Sequence, residues 1–142
     1  MSADTFALTD VKLIDGTGGP EKDHQTILVE HGRIIEVGEK SAIRVPAGTN
    51  IIPCSGKTVI PGMVMMHEHM YYGESVRPFY IVVEMPVSFP GLYLAGGVTT
   101  MRTAGCVEPQ TDLNLKRWID EGQIIGPDID VTSPYIERAA FM

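Results

Sequence analysis

Short apolar runs separated by turn-forming residues occupy the first sixty positions of the chain. The clearest runs are residues 11–14, 27–29 and 34–37, and none of them shows the spacing of an amphipathic helix. The last two flank His31-Gly32, and because glycine accepts a positive φ at little cost, this pair favours a hairpin turn. The pattern therefore predicts a small all-β unit over residues 1–60.

The pattern changes after position 60, where strands and helices are predicted to alternate. Residues 63–66 form an unbroken apolar run, which is typical of a strand buried on both faces. The predicted order is a strand at 63–66, a helix at 92–95, a strand at 98–103, a helix from Thr111 or Asp112 to Gly122, and a strand at 129–132. Because this alternation builds a parallel sheet, residues 61–142 are predicted to form an α/β unit.

Composition and charge exclude several classes of protein. The 142 residues are 44% hydrophobic and 20% charged, with a formal net charge of -7, so no basic surface for nucleic acid is expected. Cys54 and Cys106 stand far apart without a C-x-x-C pair, which argues against a disulfide framework or a thiolate zinc site. No apolar run approaches the ~20 residues of a membrane span, and no signal-peptide pattern is visible. A cytoplasmic location is expected.

The candidate chemistry lies in His67-Glu68-His69, directly after the apolar run. Residues i and i+2 of a strand point to the same side, so both imidazoles can face one cation while Glu68 points away. A histidine pair by itself is more often part of a surface or loop. This pair, however, lies at the carboxyl end of a predicted parallel strand, where such folds bind their ligands.

Three segments resemble those of the amidohydrolase superfamily. Residues 59–69, Val-Ile-Pro-Gly-Met-Val-Met-Met-His-Glu-His, resemble its V-[IL]-P-G-[LF]-[IV]-D-x-H-x-H signature. Residues 97–102, Gly-Val-Thr-Thr-Met-Arg, resemble the G-V-T-T-x-R segment of its second barrel strand, and Gly126-Pro127 resembles the segment that opens the third. The resemblance is nearest to the subgroup of imidazolonepropionases and Xaa-Pro dipeptidases. Two positions depart from the pattern, since Met65 and Thr103 stand where an Asp is usual.

The resemblance implies a fold, a cofactor and a chemistry. The fold would be an N-terminal β-sandwich over residues 1–60, followed over residues 61–142 by the first strands and helices of an incomplete (β/α)8 TIM barrel. His67 and His69 would ligate a divalent metal, most often zinc, which would polarise a scissile carbonyl and lower the pKa of a bound water. The remaining ligands and the catalytic Asp would come from later strands, so no catalytic residue is assigned within this chain.

Three further residues are candidates for the substrate pocket, each with a structural alternative. Arg102 is placed near the carboxyl end of the second strand, where an ion pair, for example with Glu68, explains it as well. Cys106 follows in the next loop, where a small half-buried thiol is the alternative. Tyr71 follows the histidine pair, and aromatic packing accounts for it equally well. His24 and His31 are expected to face solvent.

The sequence thus predicts the N-terminal portion of a metal-dependent hydrolase that acts on C–N bonds of amides, non-peptide compounds or dipeptides. A full barrel needs about 250 residues, and a catalytic zinc usually has three protein ligands, so this portion is expected to be inactive alone. A small-molecule substrate is expected, together with a homo-oligomer or a further C-terminal portion. The alternative is a non-catalytic assembly or binding module that retains a vestigial metal site.

Overall fold

The computed structural model describes residues 5–76 and 79–136, with side chains outside 74–80. The chain divides into two compact units, Met1–Pro61 and Gly62–Met142. Within the described ranges, neither helix is long and apolar enough to cross a membrane.

The first unit is a five-stranded sheet. Its strands are β1 (Thr5–Leu13), β2 (Lys22–Glu30), β3 (Arg33–Glu39), β4 (Asn50–Pro53) and β5 (Thr58–Val59). They are arranged in the order β3-β2-β1-β4, and β5 pairs with β1. The neighbours β1, β2 and β3 are antiparallel, whereas β4 and β5 run parallel to β1. The predicted hairpin at His31-Gly32 joins β2 to β3, and both turn residues have a positive φ.

The main buried cluster of this unit contains Val11, Leu13, Ile27, Val29 and Cys54. Large apolar residues on β3 and β4 remain open to solvent, such as Ile34 at 66% and Ile51 at 55% exposure. The described residues of the unit form this single sheet, so the second layer of the predicted sandwich stays a prediction.

Two histidines of the first unit face solvent, as the sequence predicted. The His24 Nδ1 atom lies 2.8 Å from Asp10 Oδ1, and this contact raises the pKa of His24. Both residues adopt a positive φ where the pairing of β1 with β2 slips in register. The contact between His24 and Asp10 therefore stabilises the irregular part of the β1–β2 pairing.

The second unit contains a parallel sheet, a hairpin and two helices. Its elements are β6 (Met63–Glu68), β7 (Tyr71–Val76), β8 (Phe79–Glu84), α1 (Ser88–Ala95), β9 (Val98–Thr103), α2 (Pro109–Asp120) and β10 (Asp128–Asp130). The parallel sheet has the order β10-β9-β6, and β7 pairs with β8 as a separate two-stranded sheet. The strand–helix alternation was predicted, but the β7–β8 hairpin was not.

Both helices begin earlier than the sequence indicated. Helix α1 starts at Ser88, four positions before the predicted start at 92. Helix α2 was expected to be capped by Thr111 or Asp112, but it begins at Pro109, where Glu108 is the N-cap and accepts a hydrogen bond from the Gln110 amide. Proline suits the first helical position because its missing N–H would have no partner there. The prediction overlooked this start signal.

Buried side chains between the helices and the parallel sheet form the second core. It consists of Met70, Val98, Met101, Leu115 and Ile129. On α2 the side chain of Leu115 is fully buried, whereas those of Trp118 and Ile119 are half-buried. The helix therefore docks on the sheet mainly through Leu115.

The prediction that residues 63–66 are buried on both faces is wrong for the described chain. Met63, Val64, Met65 and Met66 are 44%, 58%, 37% and 63% exposed. The reason is that β6 is an edge strand, paired only with β9 among the described strands. Its apolar run therefore remains largely uncovered.

Candidate metal centre

The two histidines lie next to each other where β6 ends. Their ring centroids are 5.5 Å apart, and the rings meet edge to face at 88°. Between the pairs Met65↔Met101 and Glu68↔Thr103 the strand advances three residues against two on β9, which is the register of a β-bulge. The bulge thus falls immediately before or at His67, a place where such irregularities often re-aim side chains.

His69 is held through both its ring and its main chain. Its Nδ1 atom lies 3.4 Å from the carbonyl oxygen of Gly105, in the loop after β9. Its own carbonyl accepts a hydrogen bond of 3.1 Å from the hydroxyl of Tyr93 on α1. An imidazole that donates from Nδ1 presents Nε2 as an electron-pair donor, which is the usual arrangement of a metal-ligating histidine.

The chemistry of the two imidazoles would suit part of a zinc site. Two nitrogens bound to one tetrahedral zinc at about 2.0–2.1 Å lie about 3.3 Å apart, which adjacent rings at a centroid distance of 5.5 Å can provide. Among the described residues, no third His, Cys, Asp or Glu joins a group able to hold a metal. The chain therefore fits a divalent metal with two ligands where three protein ligands are usual.

The acidic residue between the histidines faces α1. Glu68 Oε2 accepts a hydrogen bond of 2.7 Å from the Tyr93 hydroxyl. Burial, and then the neighbouring carboxylate, raise the pKa of Tyr93 to about 12.

The suggested ion pair between Arg102 and Glu68 is wrong, because Arg102 Nε lies 3.3 Å from Asp130 Oδ2 on the adjacent strand. Side chains that share one face of paired strands meet in this way.

An aromatic pair extends the site beyond His69. The Tyr71 ring lies 4.9 Å from the His69 ring, and its hydroxyl is 2.6 Å from that of Tyr135. The Tyr135 ring covers Gly105, where an added Cβ would approach ring carbons at 2.7 to 3.0 Å. Neither Tyr93 nor Tyr135 was identified as a site residue from the sequence. The only available signal for Tyr135 was its place just after a predicted strand, where ligand-binding residues often lie.

Cys106 is buried inside the fold. It is 2% exposed, and its Sγ donates to the Thr132 carbonyl oxygen at 3.3 Å. Burial is the main cause of the raised pKa of this thiol, and buried thiols are less reactive than exposed ones. Its buried neighbour Asp112, on α2, is 5% exposed. Burial, and next the charge of Glu84, raise the pKa of Asp112 to about 6.

Comparisons with known proteins support the resemblance. The chain matches no protein-family profile. An enamidase from Eubacterium barkeri is 33% identical over 95 residues, which are 66% of this chain and 23% of that enzyme. An imidazolonepropionase from Vibrio cholerae is 33% identical over 72 residues, covering 48% of this chain and 17% of the enzyme. The crystal structure of a candidate prolidase from Bifidobacterium longum superposes with a TM-score of 0.74 at 27% identity, over 96% of this chain and 32% of that one.

The solved structures that this chain resembles are those of amidohydrolase-type TIM-barrel enzymes. The chain belongs to the amidohydrolase superfamily and corresponds to an N-terminal portion of its members. Members of this superfamily of hydrolases generally use divalent metals. The chain spans 17% to 23% of the length of the two curated relatives described above.

Proposed function

We propose that this chain contributes the first two metal ligands of a zinc-dependent hydrolase that acts on the C–N bonds of small molecules. The observation that carries the proposal is the pairing of His67 with His69 at the end of β6, with Nδ1 of His69 next to the Gly105 carbonyl. The relatives are named enamidase and imidazolonepropionase, which favours an amide or related C–N bond.

The architecture proposed for the whole enzyme follows the same relatives. Residues 1–60 would form one part of a β-sandwich domain, and residues 61–142 would open a (β/α)8 barrel. When bound, a divalent metal supplies Lewis acidity at the scissile carbonyl and lowers the pKa of water. His67 and His69 would hold it, and the Gly105 carbonyl would orient the His69 ring.

Among the three pocket candidates, the contacts favour Tyr71. Its ring packs on that of His69, so it borders the position that a metal would take. We add Tyr135 to this wall, because its hydroxyl lies beside that of Tyr71. The ion pair of Arg102 and the burial of Cys106 favour structural roles for those two residues.

Two ligands are too few for turnover by this chain alone. We propose that the remaining ligands and the catalytic base belong to polypeptide outside residues 1–142 or to a second copy, and that the isolated chain binds zinc weakly and hydrolyses nothing. A specific observation favours the alternative of an assembly module. The apolar residues of β6 are exposed along an edge that none of the described strands pairs with, and such edges promote association.

The test is zinc binding by the 142-residue chain, measured by competition with a chromophoric chelator. Replacing both ligands, His67→Ala/His69→Ala, is expected to weaken binding by at least about tenfold, because the metal loses both imidazoles. The matched control is His24→Ala/His31→Ala, which removes two solvent-facing histidines of the first unit and should bind zinc as the wild type does.

Two results would contradict the metal site: equal affinity in the wild type and the His67/His69 variant, or an equal loss in both double variants. Zinc that survives dialysis near one equivalent and vanishes only in the His67/His69 variant would show that a second copy supplies further ligands. Light scattering on the same sample would then report an oligomer.

A further inference from the structure

The hydroxyl of Tyr93 connects α1 to the end of β6. It lies 2.7 Å from Glu68 Oε2 and 3.1 Å from the His69 carbonyl oxygen. The two acceptors are consecutive residues, one offering its side chain and the other its main chain. The Tyr93 hydroxyl thus contacts the chain where β6 ends, at the second histidine.

The rest of Tyr93 is anchored in the core of the unit. Its ring packs against the buried cluster around Met101 and Leu115. The end of its helix is fixed by the bond from the Gly97 amide to the Leu94 carbonyl, and the Gly97 carbonyl accepts from the Met63 amide at the start of β6. The helix that carries Tyr93 is therefore fastened to both ends of the strand.

His69 is consequently restrained from two directions by groups of this chain. Tyr93 holds its main chain from α1, and the Gly105 carbonyl lies beside Nδ1 of its ring from the loop after β9. His67 contacts the ring of His69 edge to face. The contact of Gly105 is of the kind that fixes the ring orientation and tautomer of metal-ligating histidines, and loss of such contacts usually costs 10-fold to 100-fold in metal affinity. The Tyr93 contact fixes the main chain from which that ring projects.

We propose that Tyr93 is a positioning residue of the metal centre, which orients His69 so that Nε2 is presented before a metal arrives. This rests on the proposed function, in which His69 is a ligand. Glu68 would act with Tyr93 as the acceptor that fixes the hydroxyl.

The experiment compares Tyr93→Phe with the matched control Tyr72→Phe. The first removes the hydroxyl and keeps the ring, whereas Tyr72 is 64% exposed and is not part of the centre. Two quantities are measured: the Kd for zinc, and the ring 15N chemical shifts of His69 in metal-free protein at a pH where imidazoles are neutral, which report the tautomer. The thermal midpoint shows that each variant is folded.

Tyr93→Phe is expected to weaken zinc binding about tenfold and to change His69 from mostly Nδ1-protonated to a mixture of tautomers. Tyr72→Phe should change neither quantity. Glu68→Leu removes the acceptor from the opposite side and should reproduce the effect on the tautomer, which decides the question if Tyr93→Phe fails to fold. A residue with a purely structural role would lower the thermal midpoint without changing the tautomer.

An unchanged tautomer and an unchanged Kd in both variants would overturn the proposal. Its failure is distinguishable from failure of the proposed function. If the wild type binds no zinc, the metal centre is refuted, and the tautomer of metal-free His69 still decides whether Tyr93 positions the ring.

Discussion

Replacing Asp112 by Asn is expected to raise the free energy of unfolding by about 2 kcal/mol above pH 6 and to leave it nearly unchanged at pH 4. Asp112 is 5% exposed, and its pKa is raised to about 6, first by burial and then by the charge of Glu84. A shift of about two pKa units corresponds to nearly 3 kcal/mol. The position of Asp112 near the N-terminus of α2 offsets part of this cost.

The substitution is expected to stabilise the chain because the Asp112 carboxyl group holds its proton to a higher pH in the folded chain than in the unfolded chain. Near pH 4 and below, Asp112 is largely protonated in the folded chain and increasingly so in the unfolded chain, so it costs little. Between about pH 4 and pH 6 the unfolded chain loses this proton while the folded chain retains it. Stability is therefore lost as the pH rises through this window, and the full penalty is present above the folded pKa. Asparagine cannot ionise and avoids the penalty.

Denaturant unfolding of the wild type and Asp112→Asn at pH 4 and pH 7.5 would measure the effect. The control is Asp120→Asn, which changes an exposed carboxylate of the same helix, paired with Lys116, and should alter stability by less than about 0.5 kcal/mol. Equal stability of Asp112→Asn and wild type at pH 7.5 would refute the burial penalty.

Replacing Gly62 by Ala is expected to destabilise the chain by about 3 kcal/mol. A Cβ at this position would overlap the side chain of Thr99 on β9, including the Thr99 Cβ at 2.7 Å. The Thr99 Cβ cannot be moved away by side-chain rotation, so the two strands would have to separate. Because Gly62 directly precedes β6, this separation would also disturb the strand that carries the histidines.

Gly91→Ala on α1 is the matched control. An added Cβ there meets nothing within 4 Å and the residue has no positive φ, so alanine should stabilise the helix by up to about 1 kcal/mol. Thr99→Gly in the Gly62→Ala background removes the collision and should recover part of the loss, less the cost of glycine in a strand. If the Gly62→Ala chain were as stable as wild type in denaturant unfolding, the prediction would be refuted, because the strands would then separate at no measurable cost in free energy.

The local pattern was sufficient for features that depend on neighbouring residues. The β2–β3 hairpin follows from two apolar runs around His31-Gly32, and the alternation of β6, α1, β9, α2 and β10 follows from changes in periodicity. The proximity of His67 to His69 follows from their spacing of two along a strand. The β7–β8 hairpin was missed because three prolines, at positions 78, 86 and 90, left this stretch without an assignment.

Features that depend on distant residues could not be derived from that pattern. The apolar run of β6 indicates burial, but its burial depends on which strands lie beside it, and one edge is unpaired in the described sheet. Arg102 joined Asp130 because β10 pairs in register with β9. Tyr93 meets Glu68 across 25 positions, and Tyr71 meets Tyr135 across 64.

The sequence by itself thus determined the order of the main elements, the membership suggested by its motifs and the position of the histidine pair. These depend on backbone periodicity and on residues adjacent in the chain. Only the tertiary structure decided which groups restrain His69, why Asp112 is costly to ionise and why Gly62 must lack a side chain. Each of these depends on the packing of α1, α2 and β9 against other elements, and packing distances between segments far apart in sequence are not encoded in any local pattern.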